Sequence, residues 1–223
     1  MFGLASAVAA FVIWALSATL LLRDIPLPAP IITWFGFLIG AVSFFALIFR
    51  RRRVELRLAK ERHLPKLLLL GTAFAGISLC YQSAVVATTV ANAILTHSLQ
   101  AALTCTVFVP LFLRTRVPKM GLTALFLGLA GLIVLLAPQL SWRGSSWGNT
   151  WGIALGLLSA LFYAWFNVQV PSYEGRLPQE VVLAYLLAIA SVILFPFALL
   201  SWEPTLALHG STIVKLVLFG LLN

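Results

Sequence analysis

Long runs of apolar residues, separated by short segments that carry nearly all of the charges, constrain this chain more than any other feature. A helix needs about 20 consecutive apolar residues to cross the hydrocarbon core of a bilayer. Charged residues make up only 9% of the 223 positions, whereas an ordinary soluble domain carries about 25%. The sequence therefore predicts an all-α, multi-pass membrane protein and excludes a soluble globular domain.

The apolar runs define eight predicted spans, numbered here in chain order. Prolines such as Pro118, Pro138 and Pro178 stand at their edges, where a missing backbone N–H costs least. The predicted spans are residues 2–22, 31–49, 67–87, 90–113, 120–137, 151–170 and 181–202, with an eighth that begins near residue 212.

The basic residues indicate an orientation. Twelve of the fifteen lysines and arginines fall in the segments 50–66, 114–119 and 171–180, which alternate spans place on one side of the membrane. Because basic loops are typically cytoplasmic, we expect a cytoplasmic N-terminus in a cell membrane, with a bacterial inner membrane the best fit. Orientation thus explains the net charge of +9 without nucleic acid. The arginine run 50–53 could in addition bind anionic lipid headgroups.

A shift of 149 residues aligns the end of the chain with its beginning. It places Tyr163 on Trp14 and Gly220 on Gly71, so that spans 6 to 8 correspond to spans 1 to 3. Because five spans separate equivalent helices, the second unit would enter the membrane from the opposite side. This is the inverted repeat typical of secondary transporters.

The repeat divides the chain into two predicted regions. We expect residues 1–138 to form a first five-helix unit and residues 151–223 to form part of a second unit, which is incomplete in this sequence.

Span 4 is the span richest in polar residues. Asn92, Thr96, Gln100 and Thr104 follow one another at steps of four, with His97 beside them. At 100° per residue these side chains share one face of a helix. Such a face either lines a substrate pathway or forms hydrogen bonds with another helix, and both interpretations stay open.

Span 6 repeats this pattern with Ser159, Tyr163 and Asn167, again four residues apart. The aromatic Trp14 and Tyr163, which the shift aligns, could contact a ligand or simply pack. Together with Tyr81 of span 3, these rows indicate a neutral, aromatic site that binds a small molecule by hydrogen bonds. The candidate substrate-binding residues are Trp14, Tyr81, Asn92, Thr96, His97, Gln100, Tyr163 and Asn167.

The ionisable residues limit the chemistry. No Asp or Glu lies inside a predicted span, so an intramembrane carboxylate cannot couple transport to an ion. His97 is the mid-span titratable residue, either as a proton relay or as a neutral hydrogen-bond partner. Cys80 and Cys105 lack metal-ligand spacing, and no nucleophile and base are paired. We expect no enzyme activity and no cofactor or metal.

Small residues form a stripe along span 5, at Gly121, Ala124, Gly128 and Gly131. Such a stripe lets another helix approach closely. Its partner could lie in the same chain or in a second copy, which would give a homodimer.

Several segments resemble the EamA-type branch of the drug/metabolite transporter superfamily. They are residues 84–97 (AVVATTVANAILTH), the 110–113 ending of span 4 (PLFL), the glycine-rich span 5 and the pair Trp14 and Ala15. The resemblance implies ten helices in two inverted five-helix halves, both termini in the cytoplasm, and export or exchange of small metabolites.

Two functions from different classes follow from these patterns. The first is a secondary transporter that moves a small metabolite, such as an amino acid or a drug-like compound, by alternating access. The second is a truncated membrane subunit or fragment that inserts into the bilayer without transporting. An intramembrane enzyme is the least supported class, because span 4 supplies only His97 as a mid-span titratable group.

Overall fold

The structure, a computed structural model, describes residues 25, 27–116, 119–136, 147–173, 177–203 and 210–222. These residues form helices and no strand. A π-helical segment, Thr104–Phe108, joins the third and fourth α-helices, and a 3-10 turn, Val170–Tyr173, follows the sixth. The α-helices are α1 (Ala29–Ile48), α2 (Arg53–Ala87), α3 (Val90–Leu103), α4 (Val109–Leu113), α5 (Lys119–Leu136), α6 (Trp147–Gln169), α7 (Gln179–Leu200) and α8 (Gly210–Leu222).

Five of the described helical stretches are long and apolar enough to cross a membrane, which confirms the prediction of a multi-pass helical membrane protein. They correspond to predicted spans 2, 3, 4, 6 and 7, and the turn at residues 88–89 separates α2 from α3 where the sequence predicts it. Predicted span 1, with Trp14, lies outside the described residues. The five stretches are Ala29–Ile48, Arg53–Ala87, Val90–Leu113, Thr150–Gln169 and Gln179–Leu200.

Large apolar side chains cover much of the helix surface. Leu47, Met120 and Leu200 are 72%, 86% and 87% exposed. Water would penalise so much apolar area, whereas lipid chains solvate it at no cost. The surface therefore agrees with the helix lengths in indicating a membrane environment.

The segment 50–66, predicted as a loop, is helical from Arg53 onward, because α2 begins there. Leu56, Ala59 and Leu67 are buried on one face of this stretch, at spacings that suit a helix packed along one side. Its density of charged residues conceals this pattern in the sequence. The prediction of a loop is therefore wrong for residues 53–66.

A π-helical turn interrupts the run from α3 to α4. The N–H of Val109 bonds to the carbonyl of Thr104, five residues back, and the next residue, Pro110, has no N–H to donate. The hydroxyls of Thr104 and Thr106 donate to the carbonyls of Gln100 and Ala102, both at 2.7 Å. The polar side chains of this turn are thus satisfied within their own helix.

The described residues divide into two compact units. Unit 1 contains the chain up to Gly71 together with the chain from Pro178 onward, and unit 2 contains Thr72–Leu177. The continuous helix α2 contributes to both. The core of unit 1 includes Ile31, Leu67, Leu194 and Phe219, all at most 2% exposed.

In unit 1, α1 and α7 begin in the same way and pack in opposite directions. Pro28 and Pro178 cap them with φ, ψ of −58°, 143° and −59°, 139°. Trp34 near the start of α1 lies 5.5 Å from Phe195 near the end of α7, measured between ring centroids. At the other end Phe45 lies 5.7 Å from Tyr185, so the two helices are antiparallel.

Two glycines of unit 1 face an isoleucine each. A Cβ at Gly71 of α2 would lie 2.7 Å from the Cβ of Ile189 in α7, and a Cβ at Gly220 of α8 would lie 2.9 Å from the Cβ of Ile39 in α1. Real Cβ atoms do not approach this closely, so only glycine fits. The close packing of α2 against α7, and of α8 against α1, therefore requires a residue without a side chain at these two positions.

In unit 2, α5 packs against α3 through part of its small-residue stripe. A Cβ at Gly128 would lie 3.4 Å from a methyl of Leu99, whereas a Cβ at Gly131 would meet nothing within 4 Å. The first glycine thus finds its partner within the chain.

Candidate functional site

Three helices of unit 2 bring polar side chains together: the end of α2, then α3 and α6. The hydroxyl of Thr89 caps α3 by accepting the N–H of Asn92 at 3.2 Å. The side-chain amide of Asn92 donates to the hydroxyl of Thr88 at 3.1 Å. The first bond satisfies a free backbone donor at the start of the helix, and together the two bonds fix the turn that sends α3 back along α2.

Glycines allow α3 and α6 to approach closely. A Cβ at Gly152 would lie 2.8 Å from the Cβ of Thr88, and a Cβ at Gly156 would overlap the hydroxyl of Thr96. Ala160 and Ala164, both fully buried, continue the stripe at four-residue steps. This small-residue pattern was not among the predicted features, although its spacing is typical of close helix packing in membranes.

His97, Ser159 and a backbone carbonyl form the polar centre of unit 2. The Ser159 hydroxyl donates to the carbonyl of Ile77 at 2.8 Å, and its oxygen lies 3.0 Å from Nδ1 of His97. Because a hydroxyl carries one proton, Ser159 must accept from His97, so Nδ1 carries the hydrogen. In the neutral ring Nε2 is then the acceptor.

Aromatic rings surround this centre. The ring of His97 lies 4.8 Å from Tyr81 of α2 and 5.3 Å from Tyr163 of α6, between centroids. Tyr163 also lies 6.0 Å from Phe166, which stacks on Phe74 at 5.7 Å. These separations are typical of favourable aromatic pairs. The group combines apolar ring faces with phenol and imidazole polar atoms.

One amide pair lies farther along the same two helices. Nδ2 of Asn167 donates to Oε1 of Gln100 at 3.1 Å, and both residues are only partly buried. Each amide retains further donor and acceptor capacity. The pair could therefore exchange its mutual bond for bonds to a polar molecule.

Five of the eight predicted site residues come together in the structure, in two groups. Tyr81, His97 and Tyr163 share the aromatic group, and Gln100 and Asn167 bond to each other. Asn92 and Thr96 are 3% and 0% exposed. The Asn92 side chain bonds to Thr88, and the Thr96 hydroxyl bonds to carbonyls of its own helix. Trp14 lies outside the described residues.

Ser159 was not among the predicted site residues. The sequence does indicate this residue, because Ser159 lies on the same helix face as Tyr163 and Asn167, at steps of four residues. Its two partners, His97 and Ile77, are 62 and 82 positions away, which no local pattern reveals.

The site offers neutral hydrogen-bonding groups and aromatic faces. Among the described residues, no group of three or more His, Cys, Asp or Glu side chains is placed to hold a metal ion. Such an arrangement can bind a small polar or zwitterionic molecule through amide, imidazole and phenol groups.

Comparisons with known proteins give the fold alone. No model of a known protein family matches the sequence, and no curated protein matches it either. Three chains of solved structures match. One of them, described only as the crystal structure of a protein, aligns over 95% of this chain and 71% of its own length, with a TM-score of 0.66 at 22% identity.

Proposed function

We propose that the protein is a secondary transporter that moves a small, uncharged or zwitterionic metabolite by alternating access. One observation carries the proposal: buried Tyr81, His97 and Ser159 and half-buried Tyr163 form a neutral polar group among apolar helices. Polar residues at such depth are costly unless they serve packing or a pathway. A group built from three separate helices suits a binding site near the middle of a membrane.

Matching features of unit 1 support an inverted repeat. A shift of 150 residues relates Pro28 to Pro178 and Ile39 to Ile189. The shift of 149 residues, which aligns the end of the sequence with its beginning, relates Gly71 to Gly220. The Gly71 to Ile189 contact thus has its counterpart in the Gly220 to Ile39 contact. Because α1 and α7 are also antiparallel, the two halves would enter the membrane from opposite sides.

The helix directions in unit 2 support the same arrangement. α3 and α6 are parallel, because Thr88 faces Gly152 at their starts and Gln100 bonds to Asn167 farther along. These helices belong to predicted spans 4 and 6, which run in the same direction if every predicted span crosses the membrane once. This order agrees with the resemblance to EamA-type transporters, which we propose as the family.

We assign the direct contacts with the substrate to Tyr81, His97, Gln100, Tyr163 and Asn167. Asn92 and Thr96 would position α3, because their polar atoms bond within that helix and its cap. Trp14 remains a predicted contact. The basic segments support a cytoplasmic N-terminus in a bacterial inner membrane, which reporter fusions to each loop would test.

Metabolite profiling of cells that produce the full chain tests transport. We expect a changed ratio of internal to external concentration for one or a few small metabolites. The double variant Gln100→Leu and Asn167→Leu should abolish the change while the protein still inserts. Ser98→Ala is the control, because Ser98 is exposed on α3 and bonds only to its own helix.

Purified protein in liposomes gives the second measurement. Uptake of the metabolite found in cells should be at least about tenfold slower for the double variant, since each lost hydrogen bond to a substrate is worth about 1 kcal/mol. Unchanged metabolites in cells, or equal uptake by the double variant and the Ser98→Ala protein, would contradict the proposal.

A further inference from the structure

The helix α2 is longer than a membrane span. Its 35 residues extend over about 52 Å at 1.5 Å per residue, whereas the hydrocarbon core is about 30 Å thick. The apolar part begins at Leu67, so the excess falls at the start of the helix. We name residues 53–66 the basic extension, because five of them are Arg or Lys.

The basic extension is fixed against α7 in unit 1. Leu56 and Ala59 are 8% and 0% exposed, and the hydroxyl of Tyr185 donates to the carbonyl of Leu56 at 2.9 Å. Arg52, just before the extension, lies 3.9 Å from Glu180. One face of the extension is therefore set, and the side chains of the opposite face, such as Val54, Leu58 and Arg62, are exposed.

The exposed face is amphipathic. Val54 and Leu58 are 70% and 37% exposed and lie within 40° of each other on the helix, from the 100° advance per residue. Exposed basic residues flank this apolar strip: Arg53, Arg57 and Lys60 on one side, Arg62 and Lys66 on the other. Helices that lie at a membrane surface combine an apolar strip with basic flanks.

The acidic residues of the extension are already paired. Glu61 accepts from Arg57 at 2.7 Å, and Glu55 accepts from Arg52 at 3.2 Å. Within the part of the chain that the structure describes, Lys60, Arg62 and Lys66 form no salt bridge with a carboxylate. Their positive charge is therefore not compensated by a carboxylate of the described residues.

We propose that the basic extension binds the headgroups of anionic phospholipids in the surrounding bilayer. With the extension inclined towards the membrane surface at Pro65, which lies inside α2, Lys60, Arg62 and Lys66 would contact the phosphates, and Val54 and Leu58 would face the upper acyl chains. Lipid is favoured because the charges directly adjoin an apolar span, within the roughly 10 Å reach of electrostatic attraction. A free phosphate would leave the apolar strip without a partner.

Native mass spectrometry of the full chain in detergent tests this binding. Phosphatidylglycerol and phosphatidylcholine of equal chain length are added separately, and the fraction of protein with bound lipid is measured. We expect phosphatidylglycerol to bind about tenfold or more tightly than phosphatidylcholine, because each basic residue near an anionic surface contributes about 1 kcal/mol. Added inorganic phosphate should not displace it.

Two triple variants supply the matched comparison. Lys60→Gln, Arg62→Gln and Lys66→Gln should lower phosphatidylglycerol binding at least about fivefold. Arg114→Gln, Arg116→Gln and Lys119→Gln remove the same charge elsewhere and should change it less than about twofold.

The apolar strip has its own variant. Leu58→Asn retains every charge, so it should weaken phosphatidylglycerol binding without abolishing the preference over phosphatidylcholine. Circular dichroism of each variant establishes that it is folded, and the single variant Lys60→Gln replaces the triple variant if that one fails to fold. Equal binding of the two lipids by the natural chain, displacement by phosphate, or equal losses in the two triple variants would overturn the proposal.

Discussion

His97 and Ser159 lie 62 positions apart in the sequence, yet Nδ1 of the histidine lies 3.0 Å from the hydroxyl oxygen of the serine. The same hydroxyl donates to the carbonyl of Ile77 at 2.8 Å. A single serine of α6 thereby connects α2 and α3 through the polar centre of unit 2. Since all three groups are inside apolar helices, each bond is shielded from competing water.

Ser159→Ala should destabilise the protein by about 1 kcal/mol, because it removes two interhelical bonds, each worth about 0.6 kcal/mol, and leaves the Ile77 carbonyl and the His97 nitrogen without this partner. The free energy of unfolding in mixed detergent and SDS micelles measures the loss. Ser98→Ala makes the same chemical change at an exposed position and should alter the stability by less than about 0.5 kcal/mol. Equal effects of the two variants would exclude a special role for the Ser159 bonds.

The hydrogen-bond directions also predict one tautomer of His97. With the Ser159 proton committed to Ile77, the neutral imidazole should carry its hydrogen on Nδ1. Nitrogen NMR of protein labelled at histidine distinguishes the two ring nitrogens, and His97→Gln assigns the signal among the three histidines. A signal from the tautomer protonated on Nε2 alone would show that Ser159 points its hydrogen elsewhere.

The extents of the described spans were predictable because length and apolarity are properties of one segment at a time. Predicted spans 67–87 and 90–113 end and begin where α2 ends and α3 begins, since the short turn between them carries Thr88 and Thr89. The start of α2 was not predictable in this way. Its charged residues suggested a loop, and only the contact between Leu56 and Tyr185 shows which face is buried.

The candidate site was predictable in its residue types and not in its pairings. The four-residue steps placed His97 and Gln100 on one face of span 4, and the structure directs them to Ser159 and Asn167 of α6. Thr96 shared that face but points its hydroxyl at its own backbone. These pairings depend on the close approach of α3 to α6 at Gly156. This approach is a property of the two helices together and is not visible in the sequence of either one.

Tyr185→Phe should loosen the basic extension, because it deletes the hydroxyl that donates to the Leu56 carbonyl at 2.9 Å. The loss of one such bond, about 1 kcal/mol, corresponds to roughly fivefold faster amide exchange. Hydrogen exchange read by mass spectrometry on peptides from residues 53–66 measures this rate. Tyr163→Phe, in unit 2, is the control and should leave those peptides unchanged.

Gly156→Ala should destabilise the contact between α3 and α6. The new methyl would overlap the hydroxyl of Thr96, and overfilling of a packed interface costs about 1–3 kcal/mol. Gly131→Ala, which meets nothing within 4 Å, should instead be neutral or stabilising, because alanine favours a helix by up to about 1 kcal/mol.

A double variant tests this contact directly. Removal of the hydroxyl by Thr96→Ala should restore part of the stability lost in Gly156→Ala, so the two effects should not add. Simple additivity would mean that the two residues do not meet.

The two glycine contacts of unit 1 give the last prediction. If the contacts of Gly71 with Ile189 and of Gly220 with Ile39 are equivalent, Gly71→Ala and Gly220→Ala should each destabilise the protein, by about 1–3 kcal/mol. Gly210→Ala is the control, since a Cβ there meets nothing within 4 Å. Each loss should shrink in part when the facing isoleucine is changed to alanine in the same protein, because alanine removes the Cγ2 methyl, which also clashes, but keeps the Cβ. A large loss at Gly71 with none at Gly220 would show that the two helix pairs are not packed alike, and would remove the main support for an inverted repeat.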